Sequence, residues 1–362
     1  MTNKVQSTFS PSTPAELAEA VRSAPRVLVV GGGTKPRLSQ VAGEVVRIST
    51  AKLRGIVEYE PSEFTFTALA GTPVSEIAAA LGERGQYLPF DPLFARAGAT
   101  LAGTVASGVS GPGRFRFGGL RDFILGVRVV DGGGRLLRLG GKVVKNAAGF
   151  DLPKFFVGSL GRFGALAEIT FKVFPRPLAT RTLRIEARNS TAMMEIFALA
   201  GSARWEIDAL EASPAEGAVF ARLAGPAVAL DVLASEIAKR WRVTTLAEEM
   251  AENLWRCVGE FTWAHPDGAL AKVVLTPSQV PEFVARTPTE ARSWVSAGGN
   301  IGYVSLPPGA AFPAFTWPAL TLRGPAPLWP GAKLRFEIMQ AVKTALDPQD
   351  RFPSLDDDVG QV

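Results

Sequence analysis

Arg26-Val-Leu-Val-Val30-Gly31-Gly32-Gly33-Thr34-Lys35 begins as an apolar strand and ends in a glycine turn. The run Arg26 to Val30 suits a buried strand. A glycine turn after such a strand lets backbone N–H groups converge on a phosphate, because glycine accepts positive φ and has no Cβ in the way. The turn is not a dinucleotide fingerprint, since no helix opens there and no further glycine stands at the required offset. It is not a nucleoside-triphosphate loop either, since Lys35 comes too early. Taken alone, it also reads as an ordinary glycine turn.

Outward from this turn the elements are short and mixed. Pro14 to Arg22 is predicted as a helix, with Thr13 as N-cap, Pro14 at N1 and Glu16 at N3. Strands are predicted at Val45–Ser49, Ile56–Glu60 and Phe64–Ala70, then a helix from Pro73 to about Leu81. Ile124–Asp131 and Arg135–Leu139 form a hairpin through Gly132-Gly133-Gly134. A short helix at Asp151–Val157 and a half-buried strand at Leu166–Phe174 follow, and Pro175-Arg-Pro177 marks a boundary. Beyond it, strands at Thr182–Ala187, Ile207–Glu211, Ala218–Leu223, Ala271–Leu275 and Asn300–Ser305 are interspersed with helices. These helices are Ala192–Ala200, Ala227–Arg240, Glu248–Phe261 and Pro281–Ala285. The fold class is α+β, with an antiparallel sheet in the second half covered by helices on one face. Pro307–Pro330 reads as irregular apart from a strand at Leu320–Arg323, and Ala332–Leu346 as a last amphipathic helix.

Two further stretches bear on the glycine turn. Pro89 to Gly119 is rich in Gly, Ala, Ser and Thr, and reads as a long segment without regular structure, a kind that is uncommon unless functional. Within it, Gly98-Ala-Thr100-Leu-Ala-Gly103-Thr104-Val-Ala-Ser107-Gly-Val-Ser110-Gly111 offers N–H groups and hydroxyls on a surface that can lie against a planar, anionic cofactor. Leu101 and Val105 within it are not explained by a flexible loop. The other stretch is Val143-Val-Lys145-Asn146-Ala-Ala-Gly149-Phe150-Asp151-Leu, followed by Gly158-Ser159-Leu-Gly161-Arg-Phe-Gly164.

In this order and spacing the three stretches resemble the FAD-binding domain of the vanillyl-alcohol oxidase / p-cresol methylhydroxylase type. The Lys145-Asn146 run, with Phe115-Arg-Phe-Gly118-Gly-Leu-Arg121-Asp122-Phe-Ile-Leu125-Gly126, is similar to the E subunits of bacterial glycolate oxidases. The resemblance covers about residues 12 to 177. It implies non-covalent FAD, held by Gly31, Gly32, Gly33, Thr34, Lys35, Pro89, Asp91, Gly98, Ala99, Thr100, Gly103, Thr104, Ser107, Gly111, Lys145, Gly161, Gly164 and Ile169. It further implies a two-part FAD domain at 1–177, a cap domain at 178–330 and a C-terminal helix and tail at 331–362 returning to the first. The partners it implies are a second FAD-binding subunit of the glycolate oxidase D type and an iron–sulfur subunit of the F type. The substrate would be a small 2-hydroxy acid. Phe150 stands where tyrosine is usual, and Arg351-Phe-Pro353 where Asn-Pro-Gly is usual. Relatives of the D type carry a His-rich metal motif in the second domain; the nearest text here, Gly298-Gly299-Asn300-Ile-Gly302-Tyr303, has no histidine.

Composition narrows the remaining classes. Of 362 residues, 47% are hydrophobic and 20% charged, the profile of a globular protein long enough for about two domains. The net charge of +5 comes without a Lys/Arg run of five, so it suits an anionic cofactor and argues against nucleic acid. One cysteine, Cys257, and one histidine, His265, exclude an internal disulfide, a cysteine-held iron–sulfur cluster and a His-rich metal site, so no metal is expected. Neither lies before residue 177, which excludes covalent flavin attachment through them. With no secretory signal and no run of ~18 apolar residues, the expected place is the cytoplasm, at a membrane only through the complex. Oxidising a hydroxy acid needs a base and a cation for the carboxylate. Arg96, Arg114 and Arg116 are candidates for the cation, Lys145 for a charge near the flavin, and no base is evident. Three readings stay open: a glycolate oxidase subunit, a self-sufficient FAD-dependent hydroxy-acid or alcohol dehydrogenase, and a structural subunit with a flavin fold but no chemistry.

Overall fold

A computed structural model describes residues 4–141, 151–313, 315–332 and 336–355. Three main sheets organise the chain. The first is parallel and three-stranded, in the order Lys4–Phe9, Glu44–Ser49, Val27–Val30. Its strand Val27–Val30 runs straight into the glycine turn, as the apolar run predicts. The helix Pro14–Arg22 has the predicted cap: the Glu16 N–H donates to Thr13 Oγ1. The strand Lys4–Phe9 was not predicted. Its composition is polar, and it exists because Glu44–Ser49 offers it an open edge.

The second sheet is antiparallel, ordered Ile56–Glu60, Thr65–Leu69, Ala165–Lys172, Ile124–Val130, Leu136–Gly140. Ile124–Val130 and Leu136–Gly140 form the expected hairpin. Val74–Gly82 and Leu101–Ser107 pack over this sheet, with Ile77, Leu101, Val105 and Phe171 in one apolar cluster. The helix Leu101–Ser107 corrects the reading of Pro89–Gly119 as lacking regular structure. Thr100 caps it, Gly108 closes it in the left-handed region, and Leu101 and Val105 are its buried positions. Two shorter turns of helix, Arg114–Phe117 and Leu120–Asp122, complete the segment.

The third sheet has eight antiparallel strands, all after residue 178. Their order is Val243–Thr245, Ala179–Glu186, Ala218–Gly225, Ile207–Ser213, Arg292–Ser296, Ile301–Leu306, Ala269–Val274, Ala319–Arg323. One face is covered by Ser190–Ser202, Ala227–Ala238 and Val280–Arg286, burying Leu183, Val219, Val295 and Val304 against Phe197, Ile237 and Phe283. The other face presents Phe220, Leu270, Trp294, Tyr303 and Leu322. These join the same apolar cluster as Phe90, Phe94 and Phe171 of the first half. The third sheet thus roofs the earlier elements with alternate residues of its strands.

One buried charge cluster crosses that contact. Arg222 donates to Asp208 and to Asp91, and its guanidinium lies over the Trp255 ring. Burial opposes the charge on Arg222, but the two carboxylates outweigh it and hold the pKa above its usual range. Asp91 also accepts the Gly113 N–H at 2.8 Å, which fixes the start of Arg114–Phe117. Residues 343–352 return to the first helix: Arg351 donates to the carbonyls of Val21 and Arg22, and Phe352 is buried with Leu17 and Val27.

Candidate functional site

The glycine turn, the Thr100 helix and the Ser159–Gly164 turn enclose one cavity. Its walls include Gly31, Gly32, Gly33, Thr34, Lys35, Thr100, Gly103, Ser107, Ser159, Gly161 and Gly164. A single 3-10 turn, Pro36–Ser39, follows the glycines in place of an α-helix. Two of the three glycines are required for different reasons. A Cβ on Gly32 would lie 1.9 Å from the Gly98 carbonyl oxygen, so the turn and the second stretch touch backbone to backbone. Gly33 has φ +67°, and a Cβ there would meet nothing within 4 Å, because it would point into open space.

The chemistry of this cavity suits a polar, anionic guest. The Ser159 hydroxyl in its wall is buried without a hydrogen-bond partner, which is costly unless something else supplies one. Lys35 is 8% exposed, sits over the Phe94 ring and donates to Thr34 Oγ1, with no ion pair among the described residues. Burial lowers its pKa to about 8. A diphosphate beside it would stabilise that charge and satisfy the donors.

A second cavity, about 430 Å³, adjoins the first at Ser107, which lines both. Its walls come from the first half (Gly108, Ser110, Arg114, Leu120, Arg121, Asp122, Gly158), from the roof (Lys272, Val274, Leu320) and from Trp329, Met339 and Leu355. On the roof, Trp294, Tyr303, Lys272 and Leu320 are direct cross-strand partners in one row. Beside this row lies Glu211, fully buried, accepting from Trp294 Nε1, Ser296 Oγ and the Ala297 N–H. Burial pushes its carboxyl up to about 7 against those three donors. The Tyr303 hydroxyl is buried without a partner; burial, then the neighbouring Glu211, raises its pKa, so it stays a neutral donor.

The predicted residues divide into three groups. Gly31, Gly32, Gly33, Thr34, Lys35, Thr100, Gly103, Ser107, Gly161 and Gly164 come together around the first cavity. Pro89, Asp91, Gly98, Ala99, Thr104, Gly111 and Ile169 line neither cavity. Of these, Asp91 is held by Arg222, Gly111 donates to the Phe90 carbonyl, Gly98 supports Gly32, and Ile169 is core. Thr104 is buried with its hydroxyl unpartnered. Lys145 lies outside the described residues, with most of its motif. Among the three arginines, Arg96 offers its backbone N–H to Glu260, Arg116 pairs with Glu206, and Arg114 lines the second cavity. The Gly298–Asn300 text forms the turn between Arg292–Ser296 and Ile301–Leu306. Sequence reasoning missed Lys272, Ser159, Glu211 and Arg222. The available signal for Lys272 was a single charge inside the apolar strand Ala269–Val274.

Comparison with known proteins agrees on the class of cofactor. Residues 5–140 match the FAD binding domain family. The chain is 39% identical over 221 residues to glycolate oxidase subunit GlcE of Escherichia coli K12, covering 60% of this chain and 61% of that protein. It is 30% identical over 207 residues to D-2-hydroxyglutarate dehydrogenase of Xanthomonas citri pv. viticola, covering 56% and 43%. It is 32% identical over 128 residues to glycolate oxidase subunit GlcD of Bacillus subtilis, covering 35% and 27%. The matched stretch is under two thirds of each relative's own length. Solved structures of alkyldihydroxyacetonephosphate synthase share the fold, with TM-score 0.67 at 16% identity over 95% of this chain and 74% of theirs. The cofactor class is thereby FAD, as the sequence resemblance implied. No helix among the described residues is long and apolar enough to cross a membrane.

Proposed function

We propose, from the premise that residues 5–140 carry an FAD-binding domain, that this chain is the FAD-containing E-type subunit of a glycolate oxidase complex. Residues 1–177 would be the FAD domain, 178–330 the cap and 331–362 the returning C-terminal part. The observation that carries the reading is the junction of the two cavities at Ser107. A long cofactor with a phosphate-bearing end and a planar reactive end needs two such chambers in line. Gly31 to Lys35, Thr100, Gly103, Ser107, Ser159, Gly161 and Gly164 would hold the diphosphate end. The sheet carrying Lys272 and Tyr303 would close over the other.

FAD would supply the two-electron acceptor for oxidation of a 2-hydroxy acid to its 2-oxo acid. The residues of this chain bind and orient: hydroxyls and N–H groups grip the diphosphate, Lys35 neutralises it, and the roof keeps water from the reacting end. Electrons would leave to an iron–sulfur subunit, because one cysteine cannot hold a cluster. A second flavin subunit of the D type would complete the assembly, which would meet a membrane only through its partners.

The test is spectroscopic. Purified full-length chain should show flavin absorbance, and it should co-purify with D-type and iron–sulfur subunits when all three are co-expressed. A colourless protein that takes up no added FAD would end the proposal. Anaerobic glycolate added to the isolated flavoprotein sorts the chemistry. Bleaching would identify a self-sufficient dehydrogenase, and its absence a subunit that needs its partners.

A further inference from the structure

The second cavity is lined by three cations and one carboxylate: Arg114, Arg121, Lys272 and Asp122. Asp122 is already engaged, accepting the Gly119 N–H at 2.8 Å. The serines are engaged too: Ser110 Oγ accepts from the Leu120 N–H, and Ser107 Oγ donates to the Thr104 carbonyl. The side chains of Arg114, Arg121 and Lys272 make no hydrogen bond or ion pair among the described residues. Much of the remaining lining is apolar, including Leu120, Val274, Leu320, Trp329 and Leu355. Three cations against one carboxylate beside such a wall leave a net positive field in a small volume.

Two of these cations are fixed from different parts of the molecule. Arg114 opens the short helix Arg114–Phe117, whose start is anchored by the bond from Gly113 to Asp91, itself clamped by Arg222. Lys272 stands on the roof strand Ala269–Val274, between its cross-strand partners Tyr303 and Leu320. They are close enough that, after burial, the charge of Arg114 is the other influence lowering the Lys272 pKa, to about 8. Two like charges held together beside an apolar wall are a receptor waiting for an anion. The anion gains two charge-assisted bonds, and the cations lose their mutual repulsion.

We infer that Arg114 and Lys272 bind the carboxylate of a small hydroxy or oxo acid in the second cavity, so that this chain meets substrate itself. The inference deepens the proposed function and rests on it for the identity of the acid. It does not rest on it for the existence of the receptor.

The probe is oxalate, an unreactive small carboxylate, titrated calorimetrically into full-length chain with and without FAD, with sulfate as control anion. Oxalate should bind more tightly than sulfate. Lys272→Met and Arg114→Met should each weaken oxalate by about tenfold or more, the usual loss for a charge-assisted bond. Lys272→Arg should recover most of the affinity, with FAD content and Tm unchanged throughout. Affinity should also fall as pH rises past about 8, where Lys272 loses its proton, and the Met variant should lack that dependence. Oxalate binding to Lys272→Met as to the native chain would overturn the inference. So would loss of FAD in place of oxalate in that variant, since the cations would then serve the cofactor. If the chain proves to hold no flavin yet binds oxalate through Lys272, the receptor stands and the proposed function falls.

Discussion

The first cavity is walled by backbone and small side chains drawn from residues 29–166, whereas the second takes its roof from residues 272–274 and 318–320. In the first, recognition is carried by absent side chains, together with N–H groups and hydroxyls. In the second, it is carried by long charged side chains meeting across a packed contact. The first site depends on local turn geometry, and the second on docking of the eight-stranded sheet. The two cavities share Ser107 in their walls, yet they should fail in different ways.

The largest separation is expected from Arg222→Leu. Removing the cation leaves Asp208 buried, and Asp91 half-buried, without their partner, so unfolding free energy should drop by about 3 kcal/mol. Urea denaturation measures this directly. A loss below about 1 kcal/mol would mean that the roof is held by apolar contacts alone. Gly32→Ala attacks the other region. Its Cβ would press on the Gly98 carbonyl, so it should cost about 2–3 kcal/mol and abolish flavin absorbance, while oxalate binding survives. Loss of both ligands together would collapse the distinction between the cavities.

Glu211→Gln probes the roof through pH. In the folded chain Glu211 keeps its proton up to about 7, whereas in the unfolded chain it ionises around the ordinary value of 4.5. The folded state therefore holds the extra proton between those limits, and native stability should fall as pH rises through that window. The Gln variant should lack this fall, a difference on the order of 2 kcal/mol between pH 5 and pH 8 by thermal denaturation. A pH profile unchanged by the substitution would remove Glu211 from the ionisable groups of the roof. The smallest effect is expected from Lys35→Met. FAD affinity should weaken by about tenfold at pH 7, and the native affinity should decline above about pH 8 as Lys35 loses its proton.

How much of this could be read from the chain follows the same division. The first cavity was legible because glycines and hydroxyls that shape a turn are adjacent in sequence, as in Gly31 to Thr34 and Thr100 to Ser107. The helix Leu101–Ser107 was missed because Ala, Gly, Thr and Ser at its remaining positions hide the i, i+4 pair Leu101 and Val105. Sheet pairing was less accessible. Lys4–Phe9 and Arg292–Ser296 are strands through their neighbours, not through their own pattern. The second cavity was hardly legible at all. Arg114 was one of three candidate arginines, and Lys272 a lone charge on a strand. Only the register Lys272 with Tyr303, and the docking of that face, bring them to one space.

The bonds from Arg351 to the carbonyls of Val21 and Arg22 have a temporal meaning. During synthesis the helix Pro14–Arg22 and the strand that feeds the glycine turn emerge early, but the groups that finish them, Arg351 and Phe352, emerge more than three hundred residues later. The cradle is therefore left ajar on the ribosome until the roofing sheet has already been made. Contacts of such long range are slow to form, so the bonds from Arg351 belong to the late-closing contacts of the cradle. A cofactor that stabilises the closed cradle would then act as the latch on the final step of folding.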